Sequence, residues 1–114
     1  MSFTISSYDS ANVVHMPEKL TMANANSVKQ QLTEMIEDGK TNLVIDLAGM
    51  SFTDSSGLAV LVAVYKNIQK LGGSAVILSP QPAVQSLLEL TRLQELFEIF
   101  QDPNAAIERV SQAA

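Results

Sequence analysis

The chain has 114 residues, 46% of them hydrophobic and 17% charged, with no cysteine and a formal net charge of −5. That length predicts one domain, residues 1–114, able to bury a single core. The acidic balance argues against a nucleic-acid ligand and against docking on an anionic membrane, and the missing cysteines exclude disulfides, thiolate chemistry and cysteine-ligated metals. No apolar run reaches the roughly 18 residues of a membrane span, and Met1–Thr4 lacks the basic and apolar regions of a signal peptide, so a cytoplasmic protein is expected.

Taken in chain order, Phe3 to Ser7 and Ala11 to Met16 read as two short strands around a polar Tyr8-Asp9-Ser10 turn. After Pro17, residues from about Asn24 to Asp38 place Val28, Leu32, Met35 and Ile36 at helical spacing, and Gly39 supplies a stop. Leu43-Val44-Ile45-Asp46-Leu47 is a short continuous apolar run, as in a strand covered on both faces. Met50 and Phe52 follow, either as core plugs, the default for such residues, or as exposed contacts.

Asp54-Ser55-Ser56-Gly57 then opens a helix running from Leu58 to Leu71 and ending at Gly72-Gly73. It is apolar nearly all round, which predicts a central position in the core, with partial cover by a partner as the alternative. Ser74 to Leu78 reads as a buried strand. Ser79-Pro80-Gln81-Pro82 leads into a helix carrying Val84, Leu87, Leu88 and Thr91. Leu96 to Phe100 reads as a last short strand, and Asp102-Pro103 caps a final helix with Ile107 and Val110. Alternating strands and helices after a hairpin predict an α/β fold: a mixed, mostly parallel sheet of about five strands with about four helices. In such folds the loops at the carboxyl ends of the strands meet ligands and partners, and the loop from Ala48 to Ser55 lies at such an end.

The tetrapeptide at that loop carries the functional question. Ser and Asp before an apolar helix are ordinary caps. Here, however, three capping side chains stand in a row, Gly57 leaves backbone uncovered for close approach, and Asp54 sets a carboxylate beside two hydroxyls. A serine at a helix start can cap, bind an anion or accept a phosphoryl group. Serine hydrolysis fails for want of a base, since His15 is the one histidine and the G-x-S-x-G elbow is absent. A lone histidine of this kind is usually a satisfied polar residue. A phospho-aspartate receiver fails for want of an acidic pair to hold Mg²⁺, leaving Asp46 as a polar strand end. No nucleotide-binding glycine loop exists, and no metal or cofactor is expected.

Leu43-Val44-Ile45-Asp46-Leu47 followed by Met50-Ser51-Phe52-Thr53-Asp54-Ser55-Ser56-Gly57-Leu58 resembles the core motif of STAS domains of the bacterial anti-sigma-factor-antagonist type. Leu71-Gly72-Gly73, Ser79-Pro80 and Leu93 to Phe100 extend the resemblance over nearly the whole chain, as a single STAS-like domain. The resemblance implies a phosphorylation-controlled switch and not an enzyme. The serine after the aspartate, Ser55 here with Ser56 as the fallback, accepts a phosphoryl group from a serine kinase of histidine-kinase-like ATPase fold that doubles as the anti-sigma factor. A serine phosphatase removes it. Asp54 would orient the serine, and Leu58, Met22 and the 20–24 loop would neighbour the docking surface. Where the family often carries an acidic residue after the leucine of that loop, this chain has Thr21 after Leu20. Alternative readings are a STAS regulator of a non-sigma output, such as biofilm formation, secretion or lipid transport, or a small-anion or nucleotide sensor.

Overall fold

The computed structural model of the chain describes residues 4–8 and 10–111. Seven strands and four α-helices are seen among them: β1 (Thr4–Tyr8), β2 (Ala11–His15), β3 (Lys19–Leu20), α1 (Ala25–Glu37), β4 (Asn42–Asp46), β5 (Phe52–Thr53), α2 (Ser55–Lys70), β6 (Ser74–Leu78), α3 (Pro82–Leu90), β7 (Ile99–Phe100) and α4 (Pro103–Ser111). Five strands form one sheet in the order β1-β2-β4-β6-β7. The β1–β2 hairpin is antiparallel and every other pair in this sheet is parallel. The sheet and the four helices match the expected α/β architecture. Phe3 and Asp9, placed in the first strand and its turn by the sequence reading, lie outside the described residues.

The apolar strand run divides by period 2, as a strand covered on both faces must. Leu43 and Ile45 join Val14 and Ile77 in the larger cluster, which also holds Leu32 and Ile36 of α1, Val60, Leu61, Val64 and Ile68 of α2, and Val84 and Leu88 of α3. Val44 points the other way, with Val13, Val76 and Leu78, onto Ala106 and Val110 of α4. The larger cluster thus lies under α1, α2 and α3, and α4 covers the opposite face. On α2 the fully buried stripe is Gly57, Val60, Leu61, Val64 and Ile68. Leu58, Val62 and Tyr65 pack partly against the same core, so most of this apolar helix is spent inside the domain. Helix α1 has Asn24 as its N-cap residue, and Gly39 follows its C-cap with φ of 98°, a conformation glycine adopts without steric cost.

Two elements depart from the sequence expectation. The strand expected over Leu96 to Phe100 is confined to Ile99–Phe100, preceded by a 3₁₀ turn at Leu93–Glu95. Leu93 and Phe97 are four apart, and one helical turn sends both into the core, at 6% and 1% exposure. Tyr65 meets the Phe97 ring edge-to-face at 5.3 Å. The second departure is a separate two-stranded parallel sheet of β3 and β5, pairing Lys19 with Phe52 and Leu20 with Thr53. It clamps the segment before α1 against the segment before α2.

Candidate functional site

That clamp builds the site. Thr53 is buried, and its hydroxyl donates to the Leu20 carbonyl at 2.7 Å. The Asp54 backbone N–H follows with a longer bond to the same carbonyl, 3.4 Å. Asp54 is the N-cap of α2 in an extended conformation: one carboxylate oxygen accepts the Gly57 N–H at 3.1 Å, and the other accepts the Met22 N–H, also at 3.1 Å. The carboxylate therefore ties the start of α2 to the turn before α1. Its oxygens are engaged by backbone N–H groups of the helix and the turn, so in this structure Asp54 acts as a cap and a tie.

The turn it grips is itself closed by short hydrogen bonds. The Thr21 N–H donates to the Asn24 side-chain oxygen at 2.9 Å, the Ala23 N–H donates to the Thr21 hydroxyl at 3.2 Å, and the Asn24 side-chain amide donates to the Lys19 carbonyl at 2.8 Å. These bonds hold Met22 out at the tip, 80% exposed. Thr21, half-buried, is spent on shaping that turn.

Gly57 does not lie open to another molecule, as its sequence position suggested. It is buried, and a Cβ there would collide with the Thr53 hydroxyl and the Leu20 carbonyl. Its missing side chain is filled by the domain's own β3–β5 clamp. Phe52 departs in the opposite sense: Met50 is a core plug at 1% exposure, but Phe52 on the two-residue β5 is 52% exposed. Of the two readings open for these residues, core plug holds for Met50 and exposed contact for Phe52; a two-residue strand is too short for the sequence to show which face is covered.

Ser55 is the first residue of α2 and is exposed, whereas Ser56 is half-buried. Ser56 lines an open cavity of about 230 Å³ between α1 and α2, together with Met22, Asn26 and Lys29. Leu58 is half-buried against the main core. The structure thus brings Met22, Asp54, Ser55 and Ser56 together around one helix end, with exposed Phe52 on β5 just ahead of it, and places Gly57, Thr21 and most of Leu58 in its support.

Asp54 is the one ionisable group here with a clear shift. The Gly57 N–H holds its carboxyl below the ordinary carboxylate pKa; desolvation pushes the other way, and the Met22 N–H adds to the lowering. A depressed folded-state pKa stabilises the fold above the unfolded value, near 3.9, and that contribution is lost as pH falls through the lower folded value. Asp54→Asn keeps a capping oxygen without the charge, so its stability should fall less steeply than wild type below about pH 4. Urea midpoints measured across that range check this; parallel curves would remove Asp54 from the acid response.

His15 and Asp46 form a separate polar group on the α4 face of the sheet. Asp46 takes His15 Nδ1 at 2.8 Å with one oxygen and the Ala48 N–H at 2.9 Å with the other, and His15 Nε2 meets the Ser6 hydroxyl at 3.0 Å. Both ring nitrogens are partnered, which fits a satisfied polar histidine that ties β1 and β4 to β2. Gln81 adds a bond to the Ala48 carbonyl at 2.7 Å, fixing the start of the loop that leads to the site. Among the described residues no group of three His, Cys, Asp or Glu side chains could hold a metal ion, and no helix is long and apolar enough to cross a membrane.

A mixed sheet edged by one antiparallel hairpin, with a capped and serine-bearing helix start at the carboxyl ends of its parallel strands, defines a STAS-type α/β domain. The STAS domain family model matches residues 2–106, and the chain belongs to that family. It is 31% identical over 100 residues to an anti-sigma factor antagonist of Thermotoga maritima, an alignment covering 86% of this chain and 88% of that protein. It is 29% identical over 89 residues to the anti-sigma F factor antagonist of Paenibacillus polymyxa, covering 77% and 76%. The crystal structure of an anti-sigma factor antagonist from Thermotoga maritima superposes with a TM-score of 0.90 at 28% identity, covering 96% of this chain and 95% of that one.

Proposed function

We propose that this chain is an anti-sigma-factor antagonist that binds a partner serine kinase through the Met22–Phe52–Ser55 surface and is released when Ser55 is phosphorylated. The observation that carries this reading is the exposure of Ser55 on the first turn of α2, with two outward apolar side chains on the adjoining segments, Met22 in the turn tied to Asp54 and Phe52 on β5 three residues ahead. A kinase must reach the hydroxyl from solvent, and exposed apolar residues around it supply an interface with something to bury. Ser56 is the poorer acceptor because its side chain lies in the cavity beside Asn26 and Lys29. The partner is a kinase and anti-sigma factor of histidine-kinase-like ATPase fold, and a serine phosphatase restores the binding form. The names of the relatives support the regulatory class; the sigma-factor output rests on the same likeness.

The test uses the histidine-kinase-like serine kinase encoded nearest this chain. Without ATP it should be retained by the immobilised domain; with ATP it should be released as one phosphoryl group appears on Ser55 by mass spectrometry. A phosphosite on Ser56, or saturable nucleotide binding by the isolated domain with no kinase retained, would defeat this reading. Within the same surface, Phe52→Ala should weaken kinase binding by about 2 kcal/mol, roughly 30-fold in Kd, as removal of a central aromatic anchor does. Because Phe52 is half exposed, its thermal midpoint should stay near wild type. Isothermal calorimetry alongside thermal melts separates the two effects.

A further inference from the structure

The sheet has two edges, and they are built differently. The β7 edge is two residues long, Ile99–Phe100, and it is flanked by Glu98, which bonds Arg109 at 2.7 Å, and by exposed Asp102. Shortness and flanking charge are the usual ways a protein discourages another chain from adding to a sheet. The β1 edge is longer and carries no charge within the strand, although Asp9 follows it. Thr4-Ile5-Ser6-Ser7-Tyr8 is five residues long, lacks charge and proline, and exposes Ile5 at 42% and Tyr8 at 47%. Among the described residues β1 pairs with β2 alone.

The hydrogen-bond phase of this edge follows from the ladder. Met16 donates its N–H to Asp46, so the even-numbered residues of β2 face β4 and the odd-numbered ones face β1. Val13 and His15 stand opposite Ser6 and Thr4, so those two residues of β1 bond inward. The backbone groups of Ile5 and Ser7 are left facing out. A second copy of the strand, laid antiparallel about a two-fold axis at Ser6, sets Ile5 of each copy opposite Ser7 of the other. Each outward N–H then meets an outward carbonyl, in two reciprocal hydrogen-bonded pairs. Thr4 stands opposite Tyr8, and the pairing ends before Asp9.

We infer that the β1 edge is a self-complementary docking strand, and that its partner is a second copy of this chain, joined into one continuous ten-stranded sheet. The reciprocal register about Ser6 suits this occupant, and charge permits it. Two copies with net charge −5 repel each other over most of their surfaces, but this strand contributes no charge, and the nearby Asp46 carboxylate is turned onto His15 Nδ1 at 2.8 Å. The Met22–Phe52–Ser55 surface belongs to other elements, so self-pairing does not require it.

Ser6 on the two-fold axis is a non-hydrogen-bonded pair, with Cα atoms about 4.5 Å apart, inside the disulfide range of about 4.4–6.8 Å. Because the chain has no cysteine, Ser6→Cys gives a clean readout. Under mild oxidation it should form a disulfide-linked dimer well ahead of Lys66→Cys on the exposed side of α2. Sedimentation of the wild type at rising concentration should move from one chain mass toward two. Ser7→Pro removes an outward N–H and no ladder bond, so it should stay monomeric with a wild-type circular dichroism spectrum. If Ser7→Pro does not fold, Ile5→Lys places a charge on the same edge and should read the same. A wild type that stays monomeric throughout, or Ser6→Cys cross-linking no faster than the control, overturns the proposal. So does a dimer that persists in a folded edge variant.

Discussion

Ser55→Asp should weaken kinase binding by about 3 kcal/mol or more, on the order of a hundredfold in Kd, while the circular dichroism spectrum stays near wild type. The substitution places a carboxylate on the first turn of α2, beside a carboxylate already committed to the Gly57 and Met22 N–H groups. The fold tolerates it because Ser55 is exposed and a helix N-terminus favours negative charge. The partner does not, because docking on Met22 and Phe52 must desolvate that charge. Phosphoserine carries about −1.5 to −2 charges and should act more strongly in the same direction. Ser55→Ala should bind without regulation and take up no phosphoryl group. Calorimetric titration against the kinase, with spectra of each variant, checks the set. If Ser55→Asp unfolds the domain, the switch acts through folding, and docking control is lost as an explanation.

Gly57→Ala should destabilise the domain by at least the 1–3 kcal/mol typical of an overpacked core. The added methyl meets the Thr53 hydroxyl and the Leu20 carbonyl, and the carbonyl is backbone that cannot rotate away. The bond most exposed to this push is Thr53 to Leu20, which joins the segments before α1 and α2. The variant should therefore lose kinase affinity in step with stability, since Met22 and Ser55 are carried by the two sides of that clamp. Urea denaturation measures the first effect and calorimetry the second. Wild-type stability in Gly57→Ala would mean that the clamp opens without cost.

Phosphorylation at Ser55 would bring the new charge against the Asp54 tie. The tie is made by one carboxylate spanning two elements, so it is the contact that added negative charge would strain first. Loss of the Met22 N–H bond would free the tip that carries one of the two exposed apolar contacts. Charge repulsion and loosening of the turn would then act in the same direction, both lowering partner affinity.

Local chemistry determined much of this protein. The helical spacing of Val28, Leu32, Met35 and Ile36, the apolar run at Leu43–Ile45 and the stops at Gly39 and Gly72 are signals carried within one or two turns of chain, so they survive without tertiary context. So does the capping role of Asp54, whose Gly57 partner is three residues away. The likeness of the whole motif pointed to the family before any fold was drawn. Tertiary structure alone decided the rest, because the deciding partners are remote in sequence. Met22 reaches Asp54, and Leu20 reaches Thr53, across more than thirty residues. Those contacts make Asp54 a tie between two elements as well as a cap, and turn Gly57 from an open backbone into a packed one. Phe52 faces solvent because β5 pairs with β3 in a sheet of its own, and two residues are too few for a periodicity to show it. Leu96 and Phe97 lie outside the strand expected over Leu96 to Phe100 because Phe97 is buried in the core with Leu93, four residues before it, where the Tyr65 ring of α2 meets it.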